Sequence, residues 1–153
     1  MKYADTAVVF QEVPGEVTLA ISLTGCPCRC PGCHSRYLWE DSGRPLTAET
    51  VAYMAEAYKG SITCVCFMGG DAAPREVSLL ARHLRQTHPE CSLAWYSGRA
   101  RIPAECDVNA FDYIKTGPYL AHLGGLDKPT TNQRLYRVSG GVLADITHVF
   151  WGK

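Results

Sequence analysis

Surplus charge is missing from this 153-residue chain: 15 Lys and Arg stand against 15 Asp and Glu. A protein that holds nucleic acid through a general basic surface needs extra cations to displace counterions, so the balance argues against that class. Also missing is any apolar run near the roughly 18 residues that span a bilayer, so no membrane association is expected. Residues 1–10 carry one lysine, one aspartate and no sustained apolar stretch; no signal peptide is read there, and a cytoplasmic location is expected. Repeats, low-complexity tracts and charge runs are lacking too, which leaves one domain over residues 1–153. With 46% apolar and 20% charged residues the composition is that of a folded protein, not of a disordered one.

What is abundant is cysteine, eight in all, and four of them (Cys26, Cys28, Cys30 and Cys33) fall within eight residues. In a reducing compartment, clustered cysteines are metal ligands or redox groups more often than disulfides. The other four are Cys64, Cys66, Cys91 and Cys106.

Hydrophobic patterning predicts an alternation of strands and helices. Residues 17–24 read as a strand of β-branched and apolar residues stopped by Gly25, and 25–43 as a long loop. Thr47 suits a helix N-cap, followed by Val51, Met54, Ala55 and Tyr58 at helical spacing and by Gly60 as the stop. Residues 61–68 predict a buried strand and Gly69-Gly70-Asp71 a turn. Pro74 then opens a helix with an apolar stripe of Val77, Leu80, Ala81 and Leu84. Further strands are expected at 92–96 and 110–115, a short helix at 103–108, an irregular stretch at 119–132, and weaker strands at 133–138 and 147–151. This order predicts an α/β fold: a partial, incomplete TIM-like (β/α) barrel of about five or six mainly parallel strands. The cysteine loop, the Gly-Gly-Asp turn, Ser97 and Gly117-Pro118 each follow a strand, so parallel pairing would gather them on one edge.

Cys26, Cys30 and Cys33 are spaced C-x3-C-x2-C, which lets one irregular loop reach three corners of an iron–sulfur cube and leave the fourth iron open. A zinc site, a disulfide or plain buried thiols are the alternatives, although the second C-x2-C knuckle of a structural zinc site is absent. Cys28 lies inside the x3 segment. Cys64 and Cys66 alternate on one strand, share a face and read as small buried hydrophobes.

The three-cysteine motif directly after a strand resembles the signature of radical S-adenosylmethionine (SAM) enzymes. Further segments are similar to the activating proteins of anaerobic (class III) ribonucleoside-triphosphate reductase. They are Glu12-Val13-Pro14-Gly15, the run 21–26, Cys30-Pro31-Gly32-Cys33, Met68-Gly69-Gly70-Asp71, Trp95-Tyr96-Ser97-Gly98, 112–119 with Gly117-Pro118, and Thr131-Asn132-Gln133-Arg134. The resemblance implies that Cys26, Cys30 and Cys33 ligate a [4Fe-4S] cluster and that Cys28 does not. It implies an oxidoreductase in which an electron, from a reductant such as flavodoxin or ferredoxin, cleaves SAM. The resulting radical takes hydrogen from a glycine Cα of the partner reductase, a glycyl radical enzyme. Another glycyl radical enzyme as partner, or a small metal-binding module without catalysis, are the other functions in view.

The same resemblance assigns SAM contacts. Gly69, Gly70 and Asp71 match the turn whose backbone receives the SAM amino group, with helix capping as the alternative for Asp71. Gly32 and His34 flank Cys33, and His34 is a candidate for the adenine. Ser97 is a candidate for the ribose or carboxylate. Asp112 and Lys115 belong either to the pocket or partner surface, or to a buried ion pair. Thr116 stands where relatives often carry an acidic residue. His83 and His88 are expected in solvent, and His122 and His148 carry no signal.

Overall fold

Alternation along four central strands decides the architecture. The computed structural model describes residues 1–152. Eight strands form one sheet: β1 (Lys2–Val9), β2 (Thr18–Leu23), β3 (Arg44–Pro45), β4 (Cys64–Met68), β5 (Ser92–Tyr96), β6 (Tyr113–Thr116), β7 (Arg134–Ser139) and β8 (Val142–Asp145), in the order β3-β1-β2-β4-β5-β6-β7-β8. Two α-helices, α1 (Ala48–Ala57) and α2 (Pro74–Thr87), pack on each other and on one face. That face is built from Leu19, Ile21 and Leu23 of β2, Val65 and Phe67 of β4, and Leu93 and Trp95 of β5, against Val51 and Ala55 of α1 and Val77, Leu80, Ala81 and Leu84 of α2. The opposite face holds a smaller cluster of Val13, Cys64, Cys66, Ala94, Tyr113 and Leu135. Odd and even positions of β4 therefore go to different cores, as strand geometry requires.

The expected helices form where the signals put them. Thr47 caps α1 by accepting from Thr50 N–H at 3.1 Å, and Pro74 occupies the first turn of α2. Several expectations need correction. The sheet is mixed, not mainly parallel: β2-β4, β4-β5 and β5-β6 are parallel, and the other four pairings are antiparallel. Parallel pairing needs a crossover of a dozen or more residues. The links 10–17 and 140–141 are too short for one, so β1 and β8 return as hairpins. The sheet has eight strands where five or six were expected; it is open, with β3 and β8 as its edges, which agrees with the expected incompleteness, and the α/β class holds. Residues 103–107 form no helix, and only Val108 of the expected segment joins a 3-10 turn, at Val108–Ala110. The last strand lies at Val142–Asp145, and the expected strand at 147–151 is a 3-10 turn over Thr147–Phe150. No helix among the described residues is long and apolar enough to cross a membrane.

Candidate metal centre

The cysteine loop leaves the carboxyl end of β2 and is stitched closed at its stem. Gly25 N–H donates to the Glu40 carbonyl at 3.0 Å and Cys26 N–H to the Leu38 carbonyl at 2.9 Å. The Arg29 and Arg36 guanidinium groups lie 5.5 and 5.4 Å from the centre of the Trp39 ring, so one indole carries two cations. Arg29 is the one non-glycine residue of positive φ, at +45°, among the described residues. That strain sits midway between Cys26 and Cys33, where backbone outliers often accompany a ligand site. A turn closes the far end, with Cys33 N–H donating to the Cys30 carbonyl at 3.0 Å and Ser35 N–H reaching Cys33 Sγ at 3.3 Å.

Neighbouring strand ends bring the other candidates to the same edge. Gly69-Gly70-Asp71 follows β4, Ser97 follows β5 and Gly117 follows β6. They are laced together by Gly69 N–H to the Tyr96 carbonyl (2.9 Å), Ser97 N–H to the Lys115 carbonyl (2.9 Å) and Gly117 N–H to the Arg99 carbonyl (2.6 Å). Asp71 is 1% exposed. Its carboxylate accepts from the Ser97 hydroxyl on Oδ1 and from Gly98 N–H on Oδ2 at 2.9 Å, and Cys28 Sγ lies 3.6 Å from Oδ2. Asp71 does not cap α2, whose N-cap is Ala73 with no side-chain bond. Arg99, which the sequence did not single out, donates from Nη2 to the Asp71 carbonyl at 2.6 Å. Its only sequence signal is its position two residues past Ser97 in the same turn.

The thiols differ sharply. Cys26 is pulled down to about 6, chiefly by a hydrogen bond from Cys28, with burial opposing. Cys28 is pushed up by giving that bond and then by burial. Burial raises Cys64, Cys66 and Cys91, and pushes Cys106 up to about 11. All eight cysteines are free. Lys115 donates to the Ser97 and Gly117 carbonyls at 3.1 and 2.8 Å. Its ammonium is pushed down to about 8 by burial, against the pull of Asp71 and of Cys30, Cys28 and Cys26.

The remaining candidates spread outward. His34 is exposed, with its ring 5.6 Å from that of Tyr119, and Gly32 faces Tyr119 and Ala121. Asp112 and Lys115 do not pair with each other: Asp112 takes Arg85 at 3.1 Å and Leu93 N–H at 2.8 Å. His88, expected in solvent, is 4% exposed, and its Nε2 lies 2.8 Å from Glu56, tying α2 to α1. Asn132 and Gln133 donate to the Pro118 and Gly117 carbonyls, so that motif braces the turn after β6.

A family model described as a 4Fe-4S single cluster domain matches residues 13–103, more than half of the chain. The chain belongs to this 4Fe-4S single cluster family. No curated protein and no solved structure matches it. The donor set fits the family's cluster. Four free, half-buried thiols share one loop inside the matched span, while Cys64, Cys66 and Cys91 are buried. An iron–sulfur cluster is therefore this protein's cofactor, and the loop 26–33 offers four free, half-buried thiols.

Proposed function

We propose that the chain is a radical SAM activating enzyme that generates the glycyl radical of anaerobic ribonucleoside-triphosphate reductase. Cys26, Cys30 and Cys33 hold the [4Fe-4S] cluster in this reading, and one iron is left for SAM. When bound, that cluster supplies the electron that breaks a carbon–sulfur bond of SAM. The observation that carries the reading is the convergence of the C-x3-C-x2-C loop, the Gly-Gly-Asp turn and Ser97 on the carboxyl edge of three adjacent parallel strands.

The residues have work to do around that chemistry. The Gly69 carbonyl accepts from Trp95 Nε1 at 2.7 Å, which fixes its direction and leaves a second lone pair for the SAM ammonium. Asp71, held by Ser97 and Gly98, adds a fixed negative charge beside it. His34, exposed and tilted against Tyr119, is free to meet the adenine. The exposed rim of the loop, Arg29, Pro31 and Gly32, suits a large cytoplasmic partner that closes over the centre and excludes water. A flavodoxin or ferredoxin would deliver the electron.

The test is anaerobic reconstitution followed by dithionite and SAM. The reading expects about four irons per chain, release of 5′-deoxyadenosine, and a glycyl radical signal when the reductase is added. A non-catalytic single-cluster domain loads the same iron and leaves SAM intact. A different glycyl radical partner gives 5′-deoxyadenosine with no signal on this reductase.

A further inference from the structure

We propose that Cys26, Cys28 and Asp71 form a site for one thiophilic divalent cation of the zinc class, overlapping the four-iron centre at Cys26 and mutually exclusive with it. One donor atom from each of the three lies within 4.8 Å of the others. A tetrahedral ion with bonds of about 2.3 Å to sulfur and about 2.1 Å to oxygen holds those two atoms about 3.6 Å apart. Cys28 Sγ and Asp71 Oδ2 stand at 3.6 Å. A four-iron cube takes one thiolate per iron, so it spreads its ligands wider than a single ion does. Neither Cys30 nor Cys33 belongs to this close trio.

Two further observations make this a built site. Asp71 is buried and its carboxylate is aimed by the Ser97 hydroxyl and Gly98 N–H, the kind of outer support that orients metal-binding carboxylates. Gly98 also leaves room for Cys28 beside that carboxylate: a Cβ there would lie 3.0 Å from Cys28 Sγ and 3.3 Å from its Cβ. Two thiolates and one carboxylate match the three protein ligands of zinc sites whose remaining position takes an exchangeable ligand. Cys26 is the shared residue. An ion held by Cys26 and Cys28 removes one of the three thiolates assigned to the cube, so zinc occupancy blocks cluster assembly.

The site needs the loop and the turn, and does not depend on SAM cleavage. Metal-free, reduced protein is titrated with Co2+ and followed by its thiolate charge-transfer and ligand-field absorption. One Co2+ per chain with tetrahedral bands, displaced by Zn2+, is expected; no such bands would overturn the proposal. Losing an outer partner of a metal costs about 10–100-fold in affinity, so Cys28→Ala should weaken Co2+ binding by more than about 100-fold. Cys33→Ala should stay within about threefold, since that thiol is outside the trio. Unchanged binding in Cys28→Ala, or equal loss in Cys33→Ala, refutes the assignment. Gly98→Ala keeps every donor and pushes Cys28 aside, and about tenfold weaker binding is expected; wild-type affinity there is also a refutation. Protein preloaded with Zn2+ should resist iron reconstitution until a chelator is added. Full iron loading with zinc retained overturns the exclusivity, whereas failure to load iron in zinc-free protein speaks only against the cluster.

Discussion

Replacing Gly70 by alanine separates two reasons for a glycine beside the centre. Its φ of +82° is one that side chains rarely adopt, and an added Cβ would lie 2.6 Å from Val77 Cγ2 and 2.8 Å from Leu23 Cδ1. The left-handed backbone costs about 1–2 kcal/mol for a residue with a Cβ. Overpacking a tight core contact adds about 1–3 kcal/mol. Gly60 is the matched control, with φ +85° and nothing within 4 Å of its Cβ position. Gly60→Ala should therefore lose only the backbone share, about 1.5 kcal/mol, and Gly70→Ala about 3.5 kcal/mol. For a domain of this size each kcal/mol lowers the melting temperature by about 2–4 °C. The expected drops are about 5 °C for Gly60→Ala and about 10 °C for Gly70→Ala, measured by circular dichroism on metal-free, reduced protein. If Gly70→Ala melts within about 2 °C of Gly60→Ala, packing of β2 and α2 against this turn is not what demands the glycine, and close approach of a ligand becomes its better explanation.

Cys28→Ala should reconstitute to about four irons per chain, whereas alanine at Cys26, Cys30 or Cys33 should lose most of the iron; loss in Cys28→Ala would make it a ligand of the cube. Lys115 supplies a pH signature. Its folded value of about 8 lies below the ordinary 10.5, so between those values the unfolded chain binds more protons, and stability from this group rises with pH across that window. The gain in melting temperature from pH 8 to pH 10 should be larger in wild type than in Lys115→Met, and equal gains would refute the burial argument.

The strands with their own burial were legible; those held by neighbours were not. β2, β4 and β5 are almost wholly buried, and their apolar runs end at glycine or at a turn. β1 has no fully buried residue and β8 is exposed throughout, so neither carries an alternating apolar signal. They exist because hairpin links return the chain onto β2 and β7. Apolar Val149, Phe150 and Trp151 suggested a strand, yet Phe150 packs from a 3-10 turn beneath the sheet. At the site, spacing alone exposed the cysteine loop, and parallel pairing brought Asp71 and Ser97 to its side. The contact between Cys28 and Asp71 spans 43 positions and depends on strand register, which no local pattern encodes.

Register also explains why, among the described residues, the cysteines that stand close to a third donor side chain lie at a strand end. Cys64 and Cys66 sit inside β4 on the face away from the helices, sealed by Val13, Ala94, Tyr113 and Leu135. Among the described residues no pair of further donor side chains stands close enough to either of them to complete a metal site. Cys26 lies only three residues past β2, at the opposite limit of that same parallel pairing, where the strands end and polar groups converge. Its thiol is the one drawn well down, by a neighbour that the loop itself supplies. Moving a cysteine from strand interior to strand end changes it from a sealed core side chain into a half-buried thiol beside polar groups. The parallel sheet selects among the cysteines by where each strand stops.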